Sequence, residues 1–298
     1  MPKKKSLDLG LGNPISFYNG EIILRFSERD HVYYRIDDGV PVPVEGVTSV
    51  CSIIDKSLYL IPWACKMMAE KLLRTMPSIV PSNEMPQETL SILWTDFELL
   101  VADAKKAHRE RLTDAGDVGT AAHNWIEDSI RWAITFNKGV VENLTEQAPE
   151  DERARNCGHA ALDWMKENHV VWKNTEHKIY SREFGYAGTM DGLAEVRGIL
   201  SVVDWKTSNN LRTEYLLQTA AYLQAHKEEF GVEIPDRWIL RLGKDEADFE
   251  PWHLGPDTLA DDFESFRLCL TLRRLYSKVE KRMADTKKMK TLKEKAGF

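Results

Sequence analysis

Apolar positions return at intervals of three and four over residues 57–75, through Leu58, Ile61, Ala64, Met67, Met68 and Leu72. That spacing predicts an amphipathic helix. The same period recurs over residues 89–113 (Leu93, Phe97, Leu100, Val101, Ala104), 152–167 (Ala154, Ala160, Leu162, Trp164), 213–230, and 257–281 (Phe263, Phe266, Leu268, Leu270, Leu272, Leu275). Ala115-Gly116-Asp117 interrupts the second stretch. Asp117 suits the N-cap of a following helix, on which His123 and Glu127, four residues apart, share a face. Glu127 there either orients the imidazole or faces solvent. Short apolar or aromatic runs of strand type lie at 22–26, 32–36, 170–181, 237–242 and 249–254, and residues 15–50, including Val47-Thr48-Ser49-Val50, read as β-rich. Residues 76–88, with three prolines, and the polar residues 137–151 read as loops.

The chain is organised around residues 188–207, GTMDGLAEVRGILSVVDWKT. Two apolar segments, 193–196 and 199–205, flank Arg197-Gly198, and this pattern predicts a β-hairpin. If the turn closes around Arg197-Gly198, Val196 pairs with Ile199 and Asp191 comes opposite Asp204. Side chains alternate along a strand, so Asp204 and Lys206 share one face while Val203 and Trp205 take the other. Like charges facing each other across strands destabilise a sheet. A hard divalent cation or the nearby lysine must offset them.

These residues carry a resemblance. GTMD, a hairpin and VVDWKT resemble two motifs of the PD-(D/E)XK nuclease superfamily, and most of all its RecB-like branch of phage exonucleases and the mitochondrial genome maintenance exonuclease. That branch also has a GT-x-x-H element upstream and Q-x-x-x-Y downstream. Here they are Gly119-Thr120-Ala121-Ala122-His123 and Gln218-Thr219-Ala220-Ala221-Tyr222, so the four elements stand in order between Gly116 and Tyr222. A shorter likeness is the VTS at 47–49.

The resemblance implies an α/β fold: a small mixed sheet flanked by helices, the restriction-endonuclease-like core, with an N-terminal helical region over the site. It divides the chain into 1–114, a β and helical region covering the site; 115–256, the nuclease core; and 257–298, a helix and basic tail. It implies metal-dependent hydrolysis of DNA phosphodiester bonds, with an exonuclease favoured over an endonuclease. Asp191 and Asp204 would bind Mg²⁺ or Mn²⁺ with the Trp205 carbonyl and His123, whose imidazole suits Mn²⁺ better than Mg²⁺. Lys206 would hold or help deprotonate the attacking water. Gln218 and Tyr222 would position the lysine or touch DNA, and Glu176, on the preceding strand, would mark the edge of the site. The expected partner is DNA, single-stranded or with free ends. The expected setting is the cytoplasm of a bacterial or phage-infected cell. Alternatives are a nuclease of CRISPR spacer acquisition and a DNA-end-binding recombination partner with little hydrolysis.

Charge modifies this picture. The 298 residues, 43 % hydrophobic and 29 % charged, suit a packed soluble chain of one large or two small domains. No apolar run reaches the roughly 18 to 20 residues that cross a bilayer, and the start, MPKKKSLDLGLG, lacks a signal-peptide apolar segment. The net charge of −7 is unlike a protein that coats nucleic acid. Attraction to DNA must therefore be local. The densest basic stretch, from Arg273 to Lys295, offers Lys287, Lys288 and Lys290 as DNA contacts. The four cysteines, Cys51, Cys65, Cys157 and Cys269, form no C-x-x-C pair, so a zinc site has little support. Some RecB-like nucleases hold an iron–sulfur cluster on one early and three late cysteines; only Cys269 lies late here, so the resemblance implies no such cluster.

Overall fold

The computed structural model describes residues 9–75 and 87–295, with backbone alone for 87–94 and 289–295. The lysine run at the start and all but the end of the expected 76–88 loop lie outside the described residues. The chain divides into two compact units, Met1–Ile54 with His123–Phe298, and Asp55–Ala122.

The first unit opens with strands β1 (Ile15–Phe17), β2 (Ile22–Ser27), β3 (Val32–Asp37) and β4 (Val40–Gly46), and the short helix α1 (Val47–Cys51). The β-rich reading of 15–50 therefore stops short of its last residues. Val47, Val50 and Cys51 are buried, and their i, i+3, i+4 spacing makes one apolar helical face. The second unit holds α2 (Ser57–Thr75) and α3 (Gln87–Ala104) and the start of α4 (Ala107–Phe136). Lys71 ties these helices through Asp103 at 2.8 Å and Glu110 at 2.9 Å.

The helix break expected at 115–117 falls instead at Lys105-Lys106, and α4 runs straight through Gly116 and Asp117. Gly116 keeps a negative φ, and a Cβ there would meet nothing within 4 Å. An interior glycine costs only about 1 kcal/mol relative to alanine, too little to end a 30-residue helix. Asp117 is accordingly interior and not an N-cap.

The rest follows as α5 (Glu152–Glu167), β5 (Val171–Ser181), β6 (Tyr186–Val196), β7 (Ile199–Lys206), α6 (Glu214–Phe230), β8 (Asp236–Leu242), β9 (Phe249–Leu254) and α7 (Leu259–Lys295). Helix α7 continues well past the expected end at 281. Its later described residues are exposed but rich in helix-favouring Lys, Met and Ala.

Among the described residues the strands form one nine-stranded mixed sheet in the order β1-β2-β3-β4-β6-β7-β8-β9, with β5 also on β6. The β4–β6 and β7–β8 pairs are parallel and the remaining pairs antiparallel. This is the mixed sheet flanked by helices that the sequence implies, widened by the N-terminal strands. On one face Trp164 of α5 packs edge-on against Trp205 and Trp238 at 5.7 and 5.5 Å. A core built from α1, α6 and α7 gathers Val50, Tyr186, Val202, Tyr222, Phe266 and Leu270. A second cluster, Phe17, Leu24, Tyr33, Tyr180 and Ala187, seats the N-terminal strands on β5 and β6.

A strand has two hydrogen-bonding edges. Strand β5 occupies one edge of β6 along most of its length, from Tyr186 to Glu195. Strand β4 meets the other edge only at Tyr186 and Ala187, and β7 only from Gly192 onward. Between those two ladders, residues 188–191 face a gap where β4 and β7 part. The candidate site is built there.

Candidate functional site

The hairpin closes as its residues require. Val196 pairs with Ile199, and Arg197 and Gly198 take φ values of 53° and 83°, as a two-residue primed turn demands. The ladder is continuous from there to Gly192↔Val203. One step further brings Asp191 beside Asp204, where an Asp191 carboxylate oxygen accepts a hydrogen bond from the Trp205 backbone N–H at 2.8 Å. Across the other edge, Thr175↔Gly192 and His177↔Met190 bracket Glu176 opposite Asp191. Glu176 has a left-handed φ of 48°, and the Thr175 hydroxyl donates to the Asp191 carbonyl at 3.0 Å. Glu176, Asp191 and Asp204 thus form a row of carboxylates over three adjacent strands.

Two glycines allow this packing. A Cβ on Gly192 would stand 2.2 Å from the Trp172 ring, and one on Gly188 would stand 2.9 Å from Tyr222. Both contacts are too close for any side chain, so the backbone of β6 lies flush against aromatic rings on either side of Asp191.

The row is electrostatically tense. Asp204 is fully buried, and its pKa rises to about 6, first from burial and only partly relieved by Lys206. Neither of its oxygens has a hydrogen-bond partner of acceptable geometry, although Lys206 Nζ forms an ion pair 2.5 Å from Oδ2. Burial raises Asp191 as well, and burial followed by the Asp191 charge raises Glu176. For Lys206, burial alone would depress the pKa. The Asp204 and Asp191 charges outweigh it, and the net shift is upward. The group is therefore an ammonium at neutral pH.

His123 Nδ1 lies 3.8 Å from Asp191 Oδ2. Burial, and then the Lys206 charge, push its pKa down to about 4, so the imidazole is neutral near pH 7. Its side chain retains 31 % exposure, which leaves it open to a ligand. Glu127, one turn along α4, pairs with Arg131. On α6 the Gln218 amide donates to the Tyr222 hydroxyl at 2.6 Å, with both residues buried. Burial, then Asp204 and Asp191, raise the Tyr222 pKa well above its ordinary value.

The structure therefore gathers Asp191, Asp204, Lys206, Trp205, His123 and Glu176, with Tyr222 and Gln218 against them. Lys287 and Lys288 sit exposed on the later turns of α7. The side chain of Lys290 lies outside the described residues. Tyr215 was missed: its ring lies under Lys206 Nζ at 4.8 Å from the centroid, and its hydroxyl meets Ser208 at 3.1 Å. Its spacing to Gln218 and Tyr222, three and seven residues, marks the same helix face and was there to be read.

Among the described residues no three His, Cys, Asp or Glu side chains close into a metal cage. The donor set still fits a hard cation. It has two adjacent carboxylates that share the single ammonium of Lys206, so their combined charge is not neutralised by the side chains around them. Mg²⁺ keeps several of its waters and takes only one or two protein carboxylates.

The sequence pattern of the PD-(D/E)XK nuclease superfamily matches residues 97–283. The chain belongs to this superfamily. Its members generally act on DNA and generally use a divalent metal. Among solved structures, this member of the superfamily is similar to an exonuclease candidate from Eubacterium rectale, with 18 % identity and a TM-score of 0.36 over 52 % of this chain and 64 % of that one. It is also similar to the protein named SSO0001, with 12 % identity and a TM-score of 0.24 over 49 % of this chain and 74 % of that one. No curated protein matches. No helix of the described residues is long and apolar enough to cross a membrane.

Proposed function

We propose that the chain is a metal-dependent deoxyribonuclease of the RecB-like branch, hydrolysing phosphodiester bonds in single-stranded DNA or at DNA ends, with its nuclease core in residues 115–256. The observation that supports this best is the buried Asp204 carboxylate beside Asp191, both raised in pKa by burial, with Lys206 as the ammonium between them. One ammonium, Lys206, faces both carboxylates, so the pair keeps a net negative charge in the interior, which is costly without a further cation.

In this reading Asp191, Asp204, His123 and the Trp205 carbonyl hold Mg²⁺ or Mn²⁺. The bound cation lowers the pKa of water and neutralises charge on the phosphate. The ammonium of Lys206, held protonated by both carboxylates, orients the attacking water and screens a phosphate oxygen. Its raised pKa suits a donor better than a proton acceptor. The Tyr215 ring below and the Asp204 carboxylate beside it restrict where the ammonium can go. Gln218 and Tyr222 fix the helix face behind the row, and Glu176 borders it. Lys287, Lys288 and Lys290 contact the DNA backbone. The preference for exonuclease over endonuclease action rests on the resemblance alone.

End-labelled single- and double-stranded DNA, incubated with Mg²⁺, with Mn²⁺ or with chelator, tests the proposal. Cleavage that requires metal and disappears in Asp204→Asn is the expected result. Cleavage in chelator, or an unimpaired Asp204→Asn protein, overturns it.

A further inference from the structure

A cleft of about 460 Å³ adjoins the carboxylate row, within the size range of small-ligand sites. Its wall is the aromatic pair Phe26 and Tyr33, on β2 and β3, with centroids 4.8 Å apart and planes tilted by 50°. Its floor is Glu176 and Lys178 on β5 and Thr189 on β6, and Glu28 lies at the rim. The Tyr33 hydroxyl and the Thr189 hydroxyl are 2.6 Å apart, which pins the aromatic wall to β6 two residues before Asp191. Glu176 belongs to both places: it lines the cleft and stands opposite Asp191.

The polar groups in the cleft select the kind of occupant. Lys178 is already paired with Glu176 at 3.4 Å, and Glu28 adds a second carboxylate. One ammonium against two carboxylates repels a phosphate. A neutral planar group with N–H donors suits the same surroundings, because carboxylates accept from base amino groups and aromatic rings supply a stacking face. From this we infer that the cleft receives one unpaired nucleobase, bearing an exocyclic amino group, from the strand whose neighbouring phosphate lies at the carboxylate row. A base inside a duplex hides its hydrogen-bonding edge and its faces, so the cleft selects single-stranded DNA. The inference rests on the nuclease reading and names its substrate more closely.

The test is binding in chelator, where no cleavage occurs. Single-stranded oligonucleotides carry 2-aminopurine at successive positions, with a duplex of the same sequence and an oligothymidine as controls. The expected result is a fluorescence change at one or two adjacent positions of the single strand and none in the duplex. Phe26→Leu raises the dissociation constant of the single strand roughly 5- to 150-fold, the range for losing one stacked base. Glu28→Gln, a change at an exposed rim, guards against misfolding of the core variant. It weakens binding of the 2-aminopurine strand relative to oligothymidine, whereas simple removal of a negative charge would tighten both alike. Equal fluorescence at every position, or Glu28→Gln tightening both strands equally, overturns the inference. A positional signal without cleavage in metal sinks the nuclease reading alone, and metal-dependent cleavage without a positional signal sinks the cleft alone.

Discussion

Asp204 carries a charge where burial outweighs the relief its Lys206 partner gives, and this has consequences for stability. Its pKa stands at about 6 in the fold against an ordinary 3.8, so between those values the native state holds more protons than the unfolded one. Stability contributed by this group therefore falls as pH rises through that window. His123, His177 and His226 are all shifted down. They act in the opposite sense over an overlapping range, so the wild-type curve alone mixes signs. The difference between Asp204→Asn and wild type cancels His177 and His226 to first order. In that variant His123 loses the upward pull of the Asp204 charge and moves further down, which leaves the sign unchanged. In metal-free buffer the variant is expected to gain relative stability from pH 4 to pH 6, on the order of a few kcal/mol. Urea denaturation at several pH values measures it, and a pH-independent difference contradicts the burial argument. Lys206 has a different expected signature. Lys206→Ala removes the one ammonium paired with Asp204 and should lower kcat by about 10²- to 10³-fold, with KM nearly unchanged. If KM rises and kcat holds, the lysine is a phosphate anchor instead.

Strand β6 is held flush against aromatic rings, and that determines which substitutions it tolerates. Gly192→Ala places a methyl 2.2 Å from the buried Trp172 ring. Overpacking of this kind costs about 1–3 kcal/mol, so the urea midpoint should fall markedly. Gly198→Asn is the control, because its φ of 83° lies in open space and asparagine tolerates the left-handed region. Equal midpoints for the two variants would show that Trp172 yields easily. The hairpin was legible because local rules agree on it: alternation, a primed turn at Arg197-Gly198, and a ladder that can be counted backward. Helices α2, α5 and α6 were legible from their period. Gly116 was misread because a single glycine resembles a break yet costs less than a helix end. The place of Glu176 opposite Asp191 could not be counted, since the β5 ladder shifts register between Trp172 and Asn174. The joining of the N-terminal strands to the core sheet rests on two parallel pairs, Glu45↔Tyr186 and Gly46↔Ala187. Such a non-local contact leaves no pattern in either segment.

For the whole molecule, a net charge of −7 repels DNA at long range, and attraction must come from the distribution of cations. The basic stretch near the C-terminus is smaller in effect than its composition suggests. Arg273 is bound to Glu45 at 2.6 Å, and Arg274 donates to the carbonyls of Phe184 and Gly185 at 2.7 and 2.8 Å. These two fasten α7 to the sheet. Further along, Lys278, Lys281, Arg282, Lys287 and Lys288 are exposed and can be reached by phosphates, carried on a helix that continues to Lys295. Each phosphate neutralised on a single strand contributes about −0.7 to the slope of log affinity against log salt. Deleting residues 287–298 should weaken single-strand binding and flatten that slope by roughly one to three such contacts. The deletion leaves the Arg273 and Arg274 attachments intact, so the melting temperature should hardly move. Equal slopes for the truncated and full-length proteins would assign these lysines to solvent. The attraction would then have to come from the basic residues Lys105, Lys106, Arg109 and Arg111, whose substitution in pairs repeats the same measurement.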